Sequence, residues 1–597
     1  MSGADFQGHA DGDAAERAAY DVTILIERFK TAFHTINPHL SSDSCDYALR
    51  KLQQTDFPNL VEENEPNQEE INSTRNSYNS SLLEESFIIE NDVLKITFNN
   101  RGASISDIIL KNYTSPNNEY LNLYSRDNGD FNLMISDEEN ISFNEILFDK
   151  KIEKRDTKQI ITFTASNPDQ KKITIIYEIL EGYIIESKIL LNDKFINPSN
   201  LQFNWSNNLL HQENNITNEK NQTRINYFTK EEEFDYTSAT STNIEKVEIK
   251  EPLKWISFKQ QFFSSAIISE NEILNSNLTS EYSEDEIINK KFTLDSEIPF
   301  VNNTISFKYY FGPNKYSILK NIEDEFHNNL YLGWFGVGGF NRYIIVPIFN
   351  FLENITSNYG LIILFMVFLI RIVVTPLTFK SHLSMAKMKV LNPEIQDIRK
   401  KHDGDMQKSQ GEIMELYQKT GVSPLGGCLP ILFQLPILVS VFYFLPNAIE
   451  LRGKSFLWAS DLSNFDSILD LPFSIPLYGD HISLFTILMT VSTILINKAN
   501  SQMQTMEGPM KTIQYVLPFM FLFIFNNFSS GLTYYYFLSN VASYAQIFIF
   551  KRFVDEEKIK KEIEFNRKRN LNTKKSSFQL RLEEAMKAKQ ESKKKNR

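Results

Sequence analysis

The chain has 597 residues, enough for several domains, with 62 Lys and Arg against 75 Asp and Glu, a net charge of −13 and a mean hydropathy of −0.31. Its two cysteines, Cys45 and Cys428, are far apart and imply neither a disulfide framework nor a cysteine metal site. The histidines show no HExxH spacing, and phosphate-binding and nucleophile-elbow motifs are absent, so an enzyme is disfavoured and no cofactor or metal is expected.

The first 84 residues are unlike the rest of the chain. Residues 1–62 contain "AAERAAYDVTILIERFKTAF", in which apolar residues recur at roughly helical spacing. The apolar run "VTILI" is too short, and its neighbours too acidic, for a signal peptide. Residues 63–84 are charged, rich in Asn and Ser, and typical of a linker.

Residues 85–330 show the alternation that is typical of strands. In "DVLKITF", for example, Leu94, Ile96 and Phe98 fall on one face. Similar short runs, each bounded by polar turns, recur throughout this region. They predict an all-β antiparallel super-sandwich.

The region after the sandwich is typical of a membrane protein. Residues 331–357 have an apolar face with polar flanks and predict an interfacial helix. Residues 358–550 predict a transmembrane core, with candidate spans at about 359–379, 428–445, 481–497, 513–528 and 532–550. Some of these spans are short, so either the bilayer is thinned locally or flanking residues such as Tyr478 and Lys498 complete them.

The charged segment 380–425 predicts a helical hairpin between the first two spans. Because it is charged on most faces, we expect little apolar burial to pin it to the membrane core, and we expect a mobile element beside it. It holds eight Lys and Arg, and the basic tail 551–597 holds 17, whereas 450–480 holds only Arg452 and Lys454. The positive-inside rule therefore predicts a cytoplasmic hairpin and C-terminus, with the sandwich on the opposite side of the membrane.

One arginine interrupts the first span. Arg371 lies within "YGLIILFMVFLIRIVVTPLTFKS", and a central arginine costs about 2.5–3.5 kcal/mol even on the lenient insertion scale. Such residues usually face a protein interior or a water-filled cavity, which makes Arg371 a candidate site residue. The alternative is that its side chain extends to the lipid headgroups.

Several long motifs resemble one family. The stretch "KTGVSPLGGCLPILFQLPILVSVF", residues 419–442, resembles the insertases of the YidC, Oxa and Alb family, above all the Gram-negative YidC form with a large periplasmic domain. The stretches "SFLWASDLSNFDSILDLPF", "SSGLTYYYFLSN", "KRFVDEEKIKKE" and, in the sandwich, "KWISFKQQFFSSAI" resemble it too. The likeness covers about 85–597.

The resemblance implies a multi-pass inner-membrane protein with a five-helix core and a periplasmic sandwich. Such an insertase and chaperone inserts and helps to fold newly made inner-membrane proteins through a hydrophilic groove, alone or with the Sec translocon. The implied partners are nascent membrane proteins, the Sec translocon, membrane lipids, and the ribosome through the basic cytoplasmic tail. The family groove has one positive residue, and Arg371 matches its position.

Other polar residues within the spans are candidates for the same groove. They are Gln434, Thr490, Ser492, Asn526, Asn527, Tyr535, Tyr536 and Asn540. Asn526, Asn527 and Ser492 could equally form hydrogen bonds between helices. The three successive tyrosines could equally belong to an interfacial aromatic belt.

Residues 1–62 depart from the family pattern, because the Gram-negative form begins with an apolar signal-anchor helix. We expect that the start is wrong or fused, rather than that the sandwich uses another export route. Two rival functions remain open. A transporter or channel could use Arg371 as an intramembrane anion site, although no internal repeat is visible. The sandwich could also be a membrane-anchored carbohydrate-binding or carbohydrate-processing domain.

Overall fold

The computed structural model describes most of the chain after the N-terminal region. The described residues are 78, 82–137, 140–155, 158–195, 198–334, 336–402, 406–423, 429–501 and 509–569. The predictions for residues 1–62, for most of the linker 63–84, and for the end of the basic tail lie outside these residues. The described chain is a large β domain, residues 86–313, followed by a helical half.

Most strands are short and alternate buried with partly exposed side chains, as the sequence predicts, although β16 has 20 residues. They are β1 (Ser86–Glu90), β2 (Leu94–Asn99), β3 (Ser104–Thr114), β4 (Tyr120–Ser125), β5 (Gly129–Ser136), β6 (Asn140–Ser142), β7 (Asp149–Arg155), β8 (Lys158–Ser166), β9 (Lys172–Ile179), β10 (Ile184–Leu191), β11 (Leu201–Leu210), β12 (Arg224–Thr229), β13 (Phe234–Tyr236), β14 (Glu245–Ile249), β15 (Leu253–Lys259), β16 (Phe263–Tyr282), β17 (Ile288–Ile298), β18 (Thr304–Pro313), β19 (Leu469–Ile475) and β20 (Gly479–Ile482).

All of these strands pair in an antiparallel manner. Strands β1 to β4 form a small sheet in chain order. The large sheet runs β6-β5-β11-β17-β16-β18-β10-β9-β8-β7, with β14 and β15 also on β16 and with β12 and β13 beyond β15. Strand β16 joins its two halves, since Phe263–Ser269 pairs with β18, while Leu274–Tyr282 pairs with β17 after a register shift. The inward-facing side chains of both sheets merge into one apolar core.

The helical half follows the β domain. Two short helices, α1 (Ile216–Lys220) and α2 (Tyr316–Leu319), belong to the β domain. The others are α3 (Val337–Phe340), a π-helix (Asn341–Ile345), α4 (Val346–Glu353), α5 (Tyr359–Val390), α6 (Asn392–Lys401), α7 (Met406–Thr420), α8 (Leu429–Phe444), α9 (Leu484–Ser501), α10 (Pro509–Phe525), α11 (Ser530–Phe553) and α12 (Glu556–Arg569).

The structure corrects several predicted helix boundaries. The first predicted span, 359–379, is only the N-terminal part of α5. The helix continues through Pro376, and no further Pro or Gly follows until Pro393, so the hairpin proper begins with α6. The third predicted span starts too early, because residues 481–482 belong to β20. Within the described residues, α5 alone has the length and composition to cross a membrane, while α8, α9 and α10 contain shorter apolar stretches.

The hairpin is also packed more firmly than its charge predicts. Buried aliphatic side chains from α6, α7 and α12 and from the adjoining turns form a separate group, here named the hairpin cluster: Leu391, Ile395, Ile413, Val422, Ile559 and Ile563. The hairpin therefore buries apolar side chains against α12, a contact that the sequence did not predict, while its mobility stays a prediction. The apolar face of the hairpin is not evident in its charged sequence, because the helix that packs against it, α12, lies more than 130 residues further along the chain.

The β domain is joined to the helical half by a buried contact between Arg452 and Glu213. Arg452, which follows α8, donates from Nε to Glu213 at 2.7 Å and from Nη2 to the carbonyls of Thr114 and Gln212, each at 2.8 Å. Its guanidinium also lies over the ring of Phe263. Burial raises the pKa of Glu213 to about 8, although the adjacent guanidinium acts in the opposite direction. The β domain therefore docks on the connection between α8 and α9.

Candidate functional site

Arg371 lies in the middle of the helical half, where α5 packs against α11. Helix α5 begins after Asn358, whose side chain caps the helix by accepting from the N–H of Leu361, and it continues through Pro376. The Arg371 side chain is 9% exposed and turned towards α11. The geometry is that of a side chain held between helices.

The Arg371 guanidinium is held by neutral groups. Its Nη2 donates to the carbonyl oxygen of Ser539 at 2.8 Å and to Ser539 Oγ at 2.6 Å. A guanidinium has five N–H groups, so three remain for water or a ligand. In the described part of the chain no carboxylate forms an ion pair with Arg371, so its positive charge is not neutralised there.

A narrow open cleft lies beside this guanidinium, with room for about one water molecule. Three helices line it: α5, α8 and α11. The lining residues are Val367, Ile370, Arg371, Val374, Gln434, Ile437, Leu438, Tyr535 and Ser539. The structure therefore brings three of the predicted groove residues, Arg371, Gln434 and Tyr535, to one cleft with a mainly aliphatic wall.

A chain of hydrogen bonds continues from Arg371 along the contact between α5 and α11. Thr375 Oγ1 donates to the carbonyl of Arg371 at 2.6 Å, and Gln546 Nε2 donates to Thr375 Oγ1 at 2.8 Å. Ser539, Thr375 and Gln546 were not predicted from the sequence. The available signal was their spacing, since Thr375 follows Arg371 by four residues and Gln546 follows Ser539 by seven, which places each pair on one helix face.

Tyr536 contacts the helix on the other side of the cleft. Its hydroxyl donates to the carbonyl of Leu438 at 3.2 Å, which ties α11 to α8. Leu438 itself lines the cleft. Tyr536 thus lies next to the cleft and in contact with its wall.

Three further candidates lie between α9 and α11. Asn540 Nδ2 donates to Ser492 Oγ at 3.0 Å and to Thr493 Oγ1 at 2.8 Å. Thr490 donates to the carbonyl of Thr486 in its own helix. These contacts favour the alternative to a groove role, in which polar residues serve as hydrogen-bond partners. The bond joins two helices for Asn540 and Ser492 and stays within one helix for Thr490.

Asn526 and Asn527 lie at the end of α10 and hold the β19–β20 hairpin. Asn526 Nδ2 donates to the carbonyls of Tyr478 and His481 at 2.8 and 2.9 Å, and its Oδ1 accepts from the N–H of Ser483. Asn527 Nδ2 donates to the Tyr478 carbonyl at 2.9 Å. The polar candidate residues thus lie in three places: at the cleft, at the contact between α9 and α11, and at the contact between the end of α10 and the β19–β20 hairpin.

Two family models match the chain in succession. Residues 87–350 match the YidC periplasmic domain, and residues 351–558 match the 60Kd inner membrane protein family. The boundary between the two matches falls within α4.

Individual relatives match over most of their length. A membrane protein insertase YidC from Amoebophilus asiaticus is 36% identical over 84% of this chain and 86% of its own length. Another from Parabacteroides distasonis is 34% identical over 84% of this chain and 83% of its own. Among solved structures, an active YidC insertase with its first transmembrane domain resolved is 18% identical, with a TM-score of 0.31, over 78% of this chain and 92% of that one.

Proposed function

The chain belongs to the YidC family of membrane protein insertases and functions as an inner-membrane insertase, and we propose that it does so through the cleft beside Arg371. No covalent step is required. An insertase acts by lowering the barrier that a polar flank meets on entering an apolar bilayer, where each unsatisfied polar group costs several kcal/mol.

The proposed topology places α5, α8, α9, α10 and α11 across the membrane, with α6, α7 and α12 in the cytoplasm. The distribution of Lys and Arg supports this orientation. The helical segment before α5 would lie in the outer interface, because Tyr343, Ile344 and Phe351 expose apolar side chains there. The β domain would be periplasmic.

The observation that carries the mechanism is the buried guanidinium of Arg371, held by a hydroxyl and a carbonyl and left without a carboxylate partner in the described chain. A carboxylate on the incoming flank would supply the missing negative charge. Opposite charges about 4 Å apart at an effective dielectric near 20 attract by roughly 4 kcal/mol. The flank would therefore be drawn to the cleft.

The apolar part of a substrate would move along the outer faces of α8 and α10. Phe433 and Leu435 on α8, and Phe519 and Phe523 on α10, expose large apolar side chains in the described structure. Gln434 lies between the two exposed α8 residues and lines the cleft. One helix thus presents an apolar surface to lipid and a polar side chain to Arg371, so both parts of an amphiphilic segment are accommodated at once.

Insertion of two substrates that differ only in the leading segment, one acidic and one neutral, tests the mechanism. Arg371→Lys should keep most activity because it keeps the charge. Arg371→Ala should impair the acidic substrate most, and Arg371→Glu should repel it by roughly 4 kcal/mol. The measurement is protease protection of the inserted segment in proteoliposomes with matched amounts of each variant.

Thr378→Ala is a suitable control, because Thr378 donates only to carbonyls of its own helix one to two turns beyond Arg371. It should leave both substrates unaffected. If Arg371→Ala and Arg371→Glu reduced the insertion of both substrates equally, Arg371 would be a packing residue and the proposed attraction would be wrong.

The Sec translocon, the ribosome and membrane lipids are further proposed partners. Lipid contact is supported by the apolar side chains that α8 and α10 expose. Ribosome binding is supported by the charge of the tail, which has 17 basic against eight acidic residues over 551–597. The Sec translocon is proposed from the family alone.

A further inference from the structure

The β19–β20 hairpin carries an apolar face that the described structure leaves uncovered. In β19 the odd-numbered residues Leu469, Leu471, Phe473 and Ile475 are all apolar, and Asp470 and Ser474 alternate with them. Alternate residues of a regular strand share a face, and the pairing of β19 with β20 is irregular only between Asp470 and Ile475. Leu469 is 55% exposed, Phe473 is 61% exposed and Leu477, in the turn, is 88% exposed. Large apolar side chains are seldom grouped in this way on a surface that faces only water.

This hairpin is fixed to the end of α10. Asn526 and Asn527, which follow α10 directly, hold the Tyr478 carbonyl of the hairpin turn. The ring of Tyr478 packs against Phe523 of α10, with centroids 5.5 Å apart. The hairpin therefore has a defined position relative to the helix, and its apolar side chains begin where those of the helix end.

Helix α10 is short for a membrane span. Its 17 residues, Pro509–Phe525, rise about 25 Å, against roughly 30 Å for a bilayer hydrocarbon core. The exposed side chains Phe519, Met520, Phe523 and Ile524 line its last two turns. Helix α10 alone therefore leaves several ångströms of the hydrocarbon core unspanned unless another element continues it.

We propose that the β19–β20 hairpin inserts its apolar face into the outer leaflet and completes the hydrophobic thickness of the membrane beside α10. The occupant of this face is then lipid. Continuity with the lipid-facing side of α10 supports that choice. Attachment would rest on apolar burial and not on anionic headgroups, because residues 455–497 contain no Lys or Arg.

The proposal has a structural consequence for the short helices. A hydrophobic stretch shorter than the bilayer can be accommodated by thinning the bilayer or by flanking apolar residues. With the hairpin in the outer leaflet, thinning is not needed on that side. Any thinning that assists insertion would then be confined to the cytoplasmic leaflet.

A spin label at neighbouring positions of the hairpin tests the proposal. The full chain, with Cys45→Ser and Cys428→Ser, would carry Phe473→Cys or Ser474→Cys and be reconstituted in vesicles of phosphatidylethanolamine and phosphatidylglycerol. Accessibility to oxygen, which concentrates in lipid, is compared with accessibility to a water-soluble nickel complex. We expect the ratio of oxygen to nickel accessibility to be severalfold higher at Phe473→Cys than at Ser474→Cys.

A third label separates this inference from the proposed topology on which it rests. Val491→Cys places the label on the exposed side of α9, near the middle of that helix, and should be accessible to oxygen alone. If it is, and both hairpin labels react with nickel, the hairpin lies in water and the inference is wrong. Protection of Phe473→Cys from both reagents would mean that protein covers the face, which also overturns it. A nickel-accessible Val491→Cys would overturn the topology and the inference together.

Discussion

Packing of α12 against the hairpin formed by α6 and α7 should hold these two helices in place. Apolar contacts should contribute more than ion pairs to the free energy of this docking. Ile559 and Ile563 are 3% and 4% exposed. Replacing a buried isoleucine by alanine typically costs about 2–5 kcal/mol, so Ile559→Ala with Ile563→Ala should weaken docking by at least about 4 kcal/mol. That value would raise the undocked fraction roughly a thousandfold. Alanine favours helix, so α12 itself should persist.

The ion pairs across the same contact provide the matched control. Lys387 pairs with Glu562 at 2.7 Å, and Arg567 pairs with Glu394 at 2.9 Å. Their carboxylates are about half exposed, and exposed pairs contribute only about 0.2–1 kcal/mol each. Lys387→Ala with Arg567→Ala should therefore increase undocking by no more than about 30-fold.

Hydrogen–deuterium exchange of the full-length protein in proteoliposomes measures the difference. Amides of α6 and α7 should exchange much faster in the isoleucine variant than in the ion-pair variant, while β-domain amides should not change. Equal acceleration by both variants would mean that charge holds the contact. Unchanged exchange in the isoleucine variant would mean that α12 does not restrain the hairpin.

Three further perturbations follow from contacts in the structure. Ser539→Ala removes one of the two acceptors of Arg371 and should lower insertion of an acidic substrate up to about tenfold, with recovery in Ser539→Thr. Arg452→Met leaves Glu213 buried without its cation, at a cost of up to about 3–5 kcal/mol. Burial already raises the pKa of Glu213 to about 8, so the wild-type pair ionises above pH 8, whereas the variant carboxyl must stay protonated. The loss of stability in the variant should therefore grow above pH 8. Protease susceptibility of the β domain measures it. Deleting 570–597, which has nine basic and three acidic residues, should reduce salt-sensitive co-sedimentation with ribosomes, and equal binding without the deleted residues would argue against a role for them.

The β domain and the helical half could be predicted because each rests on a local pattern. Alternation identifies strands such as β2, and long apolar runs identify α5, without reference to distant residues. Strand order could not be predicted. Strand β16 pairs with β17 in one half and with β18 in the other, which depends on a register shift near Leu274 and not on any alternation within the strand.

The candidate site was harder to predict, for a related reason. Polar residues in apolar helices are visible in sequence, but their partners are chosen by helix packing. Asn526 and Asn540 are the same residue type and both fall within predicted spans, yet one holds the β19–β20 hairpin and the other joins α11 to α9. The hairpin cluster escaped prediction likewise, because its apolar residues are few on each helix and become a core only when α12 joins them.

The described residues around Arg371 leave its positive charge unneutralised and do not pair it with a carboxylate of the protein. The helices α5, α8, α9, α10 and α11 contain no Asp or Glu at all. A carboxylate partner would cancel the charge of Arg371, and in a site of low dielectric a substrate would have to break that pair before gaining anything. Ser539 instead offers a hydroxyl and a carbonyl, which offset part of the desolvation cost and leave the net charge intact. An acidic flank of an entering chain would therefore bring the first carboxylate to these helices. For this reason the charge of the substrate, and not only the presence of Arg371, should set the rate of insertion.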